Sequence, residues 1–346
     1  MKQRGWITAF LMVLAMIAGA CGGGDEPAVD AGDDDTTTTV EKDAGPPKFE
    51  AGSTMDTLQK KGKLVVGTKF DQPLFGLKNP VSGKVEGFDV EMAKIIAVAI
   101  FGGEAAEVES KIEFKETVSK NREPFIQDGS VDFVVATYTI NDTRKQVVDF
   151  AGPYYVAGQD IMVKADDTTI KSVTDLDGKK VCSVTGSTSI KNVAEKAPKA
   201  DLSTSFDKYS LCAEALADGR VAAVTTDNII LLGLVKDNPG KFKLVKSTFT
   251  TEPYGVGVKK GDDDFRTFIN DVIEKSYKDG SWKKAFDATV GAAGEAAPTP
   301  PPVDRYTATP AAPPTTAAAG SGSSTSTTSA TSSGSSSSSS SSTSKP

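Results

Sequence analysis

Four apolar stretches of this chain run out into hydroxyls and opposite charges. Thr68 and Lys69 end "KLVVGTK", Thr137 and Thr139 end "VDFVVATYT", Thr185, Gly186, Ser187 and Thr188 follow "VCSV", and Thr225, Thr226 and Asp227 close "VAAVTTD". Arg144 follows on "INDTR". Such a set suits a small zwitterion. A carboxylate calls for a planar, permanently charged guanidinium that donates two parallel hydrogen bonds, with hydroxyl or N–H donors beside it. Arg144, Thr139 and a helix start at Thr188 supply these. An ammonium takes acceptors only, which Asp227 and the Thr137 carbonyl offer. Singly, each residue has an ordinary structural reading: a threonine before a helix is a cap, Arg144 a solvated charge, Asp227 an N-cap. Their joint occurrence at strand ends points to a ligand instead, because open α/β sheets bind at the carboxyl ends of their strands, where helix starts present free N–H groups.

The elements that position these residues alternate. Short apolar strands such as "KLVVGT", "KIEFKET" and "VDFVVAT" are interleaved with amphipathic segments such as "GFDVEMAKIIAVAIFG", where Val90, Ala93, Lys94 and Ala97 keep helical spacing and Gly102 is a stop. A second alternation runs from "KKVCSVT" to "KFKLVKS", and "DDFRTFINDVIEKSYKDGSWKKAFDATVG" reads as two helices broken near Gly280. Strand–helix–strand order predicts an α/β fold with mostly parallel sheets. Residues 55–291 are long enough for two modest lobes.

The flanks read differently. Lys2 and Arg4 precede an apolar run from Trp6 to Ile17, then Ala18, Gly19, Ala20 and Cys21, the arrangement of an export signal. That run is short of the roughly 20 residues of a transmembrane helix. A small-residue triplet ending in cysteine also resembles a bacterial lipobox, which makes Cys21 the expected lipidated N-terminus of a membrane-tethered mature chain outside the cytoplasm. Residues 22–54 carry nine acids against Lys42 and Lys48, and from Ala292 the chain is rich in Ala, Pro and Thr, then Ser. Both spans, 22–54 and 292–346, are expected to be disordered, the second as a solvated spacer.

The net charge of −7 belongs to the acidic linker, so residues 55–291 are nearly neutral and carry no basic surface for nucleic acid. The chain has no histidine, and the pocket candidates include no paired carboxylates; no cofactor, metal or catalytic residue is expected. An enzyme on the same fold is the competing class, with Asp, Glu or Lys as its only acids and bases. Cys182 and Cys212 are the only cysteines left after Cys21, and in an oxidising compartment they are expected to form one disulfide.

The segments "GFDVEMAKIIA", "DGSVDFVVATYTINDTRKQVVDFAGPYYVAG", "VCSVTGSTS", "AVTTDNIILLG" and "YGVGVKKGDDDFRTFINDVI" resemble the family 3 extracellular solute-binding proteins, the amino-acid receptors of ABC importers. The glutamate/aspartate/glutamine-binding lipoproteins are the most similar subgroup, sharing "GTKFDQP" and the paired cysteines. The resemblance implies a type II periplasmic-binding-protein fold, two α/β lobes joined by two hinge strands. It divides the chain into residues 55–157 with 253–291 as lobe one and 158–252 as lobe two, closing on ligand as a monomer that meets permease subunits. It implies that Arg144 and Thr139 hold an α-carboxylate with donors from Thr188 and Thr185, that Thr137 and Asp227 take the ammonium, and that Phe88 lines the wall. Acidic-amino-acid receptors of the family carry bases matched here by Lys69 and, in an S-x-x-R segment, by Ser119 and Arg122. Glutamate or aspartate is therefore the expected ligand. Glutamine or asparagine is the alternative, Arg122 pairing with Glu123 or Asp128 remains open, and Gln72 suits either ligand.

Overall fold

The computed structural model describes residues 46–306. Helix α1 (Thr54–Lys61) begins at Ser53, whose hydroxyl accepts the Asp56 N–H, and leads into β1 (Leu64–Thr68). A small meander, β2 (Asp71–Gln72), β3 (Gly76–Lys78) and β4 (Val85–Glu86), precedes α2 (Phe88–Phe101), whose buried face includes Met92, Ala93, Ile96 and Ile100. Gly87, at φ 132°, starts α2 hard against Phe75, and a Cβ there would collide with the Phe75 carbonyl, so only glycine fits. The chain continues through α3 (Ala105–Val108), β5 (Ile112–Glu116), α4 (Arg122–Gln127), β6 (Phe133–Val134) and α5 (Asp142–Lys145) to the long strand β7 (Val148–Ala157).

Only Gly158 separates β7 from β8 (Gln159–Lys164), which belongs to a second sheet. That lobe adds β9 (Val181–Cys182), α6 (Thr188–Lys196), α7 (Tyr209–Ala217), β10 (Ala223–Asp227), α8 (Asn228–Asp237) and β11 (Phe242–Leu244). Residues 245–251 lead back to β12 (Glu252–Lys259) in the first sheet, followed by α9 (Asp263–Lys278) and α10 (Ser281–Ala288). Gly280, at φ 78°, breaks these two helices at the expected place.

The first sheet has the order β5-β1-β6-β12-β7 and the second β11-β8-β10-β9. Neither is mostly parallel. Strand β1 runs parallel to β5 and β6, and β9 to β10, but β12 opposes β6 and β7, and β8 opposes β10 and β11. The strands adjoining the two crossings carry the antiparallel pairs. Every such pair involves β8 or β12, which enter their sheets from the other lobe rather than through a helical crossover, so no βαβ unit fixes their direction. Cys182 and Cys212 form the expected disulfide, joining β9 to α7 with a Cα–Cα distance of 5.5 Å.

Part of the flanks expected to be disordered is packed against lobe one. Phe49 meets Phe268 edge-on at 5.4 Å, and the Gln59 side-chain amide donates to the Pro47 carbonyl at 2.8 Å. At the other end, Ala297 and Val303 lie on the core, and Asp304–Tyr306 run along the outer edge of β7. The Asp304 N–H donates to the Gly152 carbonyl at 2.7 Å, and the Phe150 N–H donates to the Tyr306 hydroxyl at 2.8 Å. With Asn270 accepting the Gly152 N–H and Tyr277 donating to the Pro153 carbonyl, the outward backbone groups over residues 150–153 that these bonds reach are occupied. A few apolar anchors, Phe49, Val303 and Tyr306, win this packing inside segments whose average composition is polar. Cys21, the export signal and the remainder of both flanks lie outside the described residues. Among the described residues, no helix is long and apolar enough to cross a membrane.

Candidate functional site

Between the two sheets lies a small pocket lined by residues from both lobes. Gln72, Ser119, Arg122 and Thr137 come from lobe one, and Ser187, Thr188, Ser189, Tyr209, Thr226, Asp227 and Ile230 from lobe two. A wider groove adjoins it and contains Glu123, Thr139, Arg144, Asn192 and Glu252, with Thr188 lining both spaces.

One end of the pocket is rich in donors. Lys69, an expected site residue, does not itself line the pocket: it is 1% exposed, and its ammonium donates to Oγ of the lining Ser119 at 3.1 Å. Burial pushes this lysine down to about 8, against the opposing pull of Asp71. Arg122 donates Nε to the Ser119 carbonyl and Nη1 to the Ala136 and Thr137 carbonyls, at 3.3, 3.1 and 3.4 Å. Its guanidinium lies 4.4 Å from the centre of the Tyr138 ring. Burial, then the charge of Arg144, lowers it to about 10, still a cation at neutral pH. Gln72 accepts the Thr137 hydroxyl at its Oε1, while its buried Nε2 has no partner among the described residues. A buried donor left unpaired is costly, so this end is built for an acceptor.

The lobe-two side carries a single carboxylate. Asp227 stands at the N-cap position of α8, yet its side chain makes no capping bond. Oδ2 accepts the Tyr254 hydroxyl at 2.6 Å, and the buried Oδ1 has no partner among the described residues. Burial, reinforced by the nearby Glu252 charge, raises the Asp227 carboxyl to about 7. An acceptor held this way suits a ligand ammonium. Around it, Ser189 and Thr226 hydroxyls bond each other at 3.0 Å, and Ser187 caps α6 by accepting the Ile190 N–H.

Several expected residues stand elsewhere. Phe88 is fully buried in lobe one, edge-on to Phe75, Trp282 and Phe286, because the Gly87 turn aims it inward; it does not line the pocket. Thr185 is exposed on the loop ahead of α6, its N–H donating to the Phe206 carbonyl, and lines neither space. Arg144 and Thr139 face the outer groove. Arg144 Nε pairs with Glu123 at 3.0 Å and Nη1 donates to the Thr139 carbonyl at 2.7 Å, with the guanidinium 4.8 Å from the Tyr138 ring that Arg122 also faces. Glu123 thus serves Arg144, not Arg122, and the Thr137 carbonyl expected to receive an ammonium already accepts from Arg122. Ser189, Tyr209 and Ile230 escaped the sequence reading. All three lie in the first turn of a helix, Ser189 in α6, Tyr209 in α7 and Ile230 in α8, past the strand ends where no local pattern marks them.

This two-lobed cleft with opposed polar ends is the architecture of a solute-binding protein. A family model described as "Bacterial extracellular solute-binding proteins, family 3" matches residues 64–291, and the chain belongs to this family. The ABC transporter glutamine-binding protein GlnH of Bacillus subtilis is 44% identical over 234 residues, 67% of this chain and 83% of that protein. The glutamate-binding protein GluB of Corynebacterium efficiens is 38% identical over 248 residues, 70% of this chain and 83% of the relative. Among solved structures, an ancestral arginine-binding protein bound to glutamine shares 41% identity with a TM-score of 0.60, covering 66% of this chain and 98% of that one.

Proposed function

We propose that this protein is the extracytoplasmic receptor of an ABC importer, capturing glutamate or aspartate between its lobes and delivering it to the permease. The observation that carries the acidic preference is the surplus of donors at one end of the pocket. The Arg122 guanidinium and the unpartnered Gln72 Nε2 line a space where a carboxylate, which only accepts, satisfies both, and Lys69 Nζ, held on Ser119 Oγ just behind that lining, adds a third donor. An amide would set its own N–H groups against these donors. Asp227 then takes the α-ammonium through Oδ1. Arg144, Thr139 and the Thr188 helix start hold the α-carboxylate where pocket and groove meet, the guanidinium reaching it with its Nη2 end.

The competing ligand is glutamine, favoured by the name of the B. subtilis relative and by the glutamine bound to the ancestral protein. Tethering through a lipidated Cys21 belongs to the same reading, and labelling with a fatty-acid analogue that is lost in Cys21→Ala tests it. For the ligand, calorimetric titration of stripped protein with L-glutamate, L-aspartate, L-glutamine and L-asparagine is decisive. The reading expects the acids to bind more tightly than their amides; the reverse order overturns it.

A further inference from the structure

Three consecutive residues of lobe two reach across the cleft to lobe one. Asp207 accepts from Lys120 Nζ at 2.6 Å, Lys208 Nζ lies 2.6 Å from Glu116, and the Tyr209 N–H donates to Asp71 Oδ2 at 2.7 Å. The first two pairs are substantially exposed, contribute little and are screened by salt. The third is different in kind. Asp71 is 7% exposed and Tyr209 2%.

Tyr209 opens α7, a nine-residue helix whose N-cap position, Lys208, provides no side-chain bond. The first N–H groups of a helix have no partner within it, and a carboxylate is well suited to receive them because it also answers the positive end of the helix dipole. Here that carboxylate comes from the other lobe: Asp71 Oδ2 accepts from Tyr209 at 2.7 Å and, more loosely, from the Ser210 N–H at 3.5 Å. The Cys182–Cys212 bridge holds the same first turn of α7 to β9, so the donors sit on a rigid mount.

We propose that Asp71 is a positioning residue that latches the cleft by capping α7 in trans, so that this helix is complete only when the lobes are together. The latch rests on the reading of the protein as a closing receptor, and it also fixes the pocket. Asp71 directly precedes Gln72 and its charge acts on Lys69, while Tyr209 lines the lobe-two wall. Pinning β2 to the start of α7 therefore sets the spacing between the donor end of the pocket and its opposite wall.

Asp71→Ala, Asp71→Asn and the controls Lys208→Ala and Asp207→Ala test this by two readouts. The first is hydrogen exchange at the Tyr209 and Ser210 amides in protein purified without refolding. The second is affinity for L-glutamate and L-glutamine, with thermal unfolding of the unliganded protein as the check on folding. Loss of a charged cap predicts affinity about three- to thirtyfold weaker for both ligands in Asp71→Ala, a smaller loss in Asp71→Asn, and faster exchange at the two amides. The control variants should stay within about threefold of the parent, as exposed pairs do. Unchanged exchange in Asp71→Ala overturns the cap, and faster exchange with affinities within about twofold overturns its role in closure. If the parent binds neither amino acid, the ligand assignment fails. The latch is then decided by exchange together with solution scattering of the same as-purified protein, where Asp71→Ala must enlarge the radius of gyration.

Discussion

Lys69 and Asp227 are titratable groups held where their charge is expensive, and under the proposed function each is relieved by the opposite end of the same ligand. Lys69→Met keeps the aliphatic bulk and removes the donor. Glutamate should then lose a charge-assisted hydrogen bond of about 1.5–3 kcal/mol, roughly ten- to a hundredfold in affinity, while glutamine changes little. Calorimetry of both ligands on parent and variant checks this, and an unmoved glutamate-to-glutamine ratio removes Lys69 from ligand recognition. The same two groups give a pH signature. Without ligand, Lys69 loses its proton as pH rises through about 8, whereas a ligand carboxylate keeps the proton on, so glutamate affinity should fall above that pH. Asp227 holds a proton below about 7 that an ammonium must displace, so affinity for either amino acid should fall as pH drops through that value. Glutamate should thus show a maximum between the two limbs and glutamine the acid limb alone; a flat glutamate profile from about pH 6 to about pH 9 contradicts both assignments. These residues are legible in the sequence as polar groups at strand ends, but their direction is not. Asp227 stands where a cap stands, and only the structure turns it from the helix to Tyr254. Phe88 keeps the position its resemblance predicts and faces the other way, because the backbone turn at Gly87 decides its direction.

Among the elements, the helix α2, the paired closing helices and the lobe-two disulfide follow from periodicity, glycine stops and cysteine count. Two features do not. Strand direction at the crossings depends on which lobe a strand enters from, and no local pattern encodes that. The packed C-terminal segment is hidden by its composition, since Val303 and Tyr306 are isolated among prolines, alanines and polar residues. It nevertheless clasps three elements of lobe one. The Tyr306 ring lies 4.0 Å from Lys145 Nζ of α5 and 4.4 Å from the Arg266 guanidinium of α9, and its hydroxyl receives the Phe150 N–H of β7. Arg305 adds pairs with Asp271 and Glu274 on α9 at 2.6 and 3.1 Å. Tyr306→Ala removes the ring and the acceptor together and should cost about 1–3 kcal/mol in urea unfolding, with Tyr306→Phe costing the smaller share. It also leaves a backbone donor free on the edge of a sheet, so the Ala variant should self-associate with rising concentration where the parent does not. Superimposable urea curves for parent and Tyr306→Ala would show that the clasp adds nothing.

For the molecule as a whole, the proposed capture depends on how closely two lobes can approach, and at two glycines the lobes come too near for an added Cβ. Gly186 of lobe two lies under Lys120 of lobe one, where an added Cβ would be 2.8 Å from the Lys120 Cα, but its φ of 79° makes any substitution strained in the open form as well. Gly233 separates the two effects. It lies within α8 with ordinary helical geometry, and a Cβ there would meet the Pro73 carbonyl oxygen of lobe one at 2.5 Å and its carbon at 3.1 Å. No real Cβ tolerates the first of these contacts, and a backbone carbonyl cannot swing aside as a side chain can. Within the helix, however, alanine is preferred to glycine by about 1 kcal/mol. Gly233→Ala should therefore move stability and binding in opposite directions. The unliganded protein should unfold at an equal or higher temperature, while the lobes are kept apart and affinity for L-glutamate and L-glutamine drops at least about tenfold, since closure is what brings Asp227 to the lobe-one donors. Calorimetry supplies the affinities, and solution scattering with saturating ligand should show a radius of gyration that no longer contracts to that of the parent. A variant that binds and contracts like the parent would mean that α8 slides past Pro73 and that the close approach at this point does not limit closure.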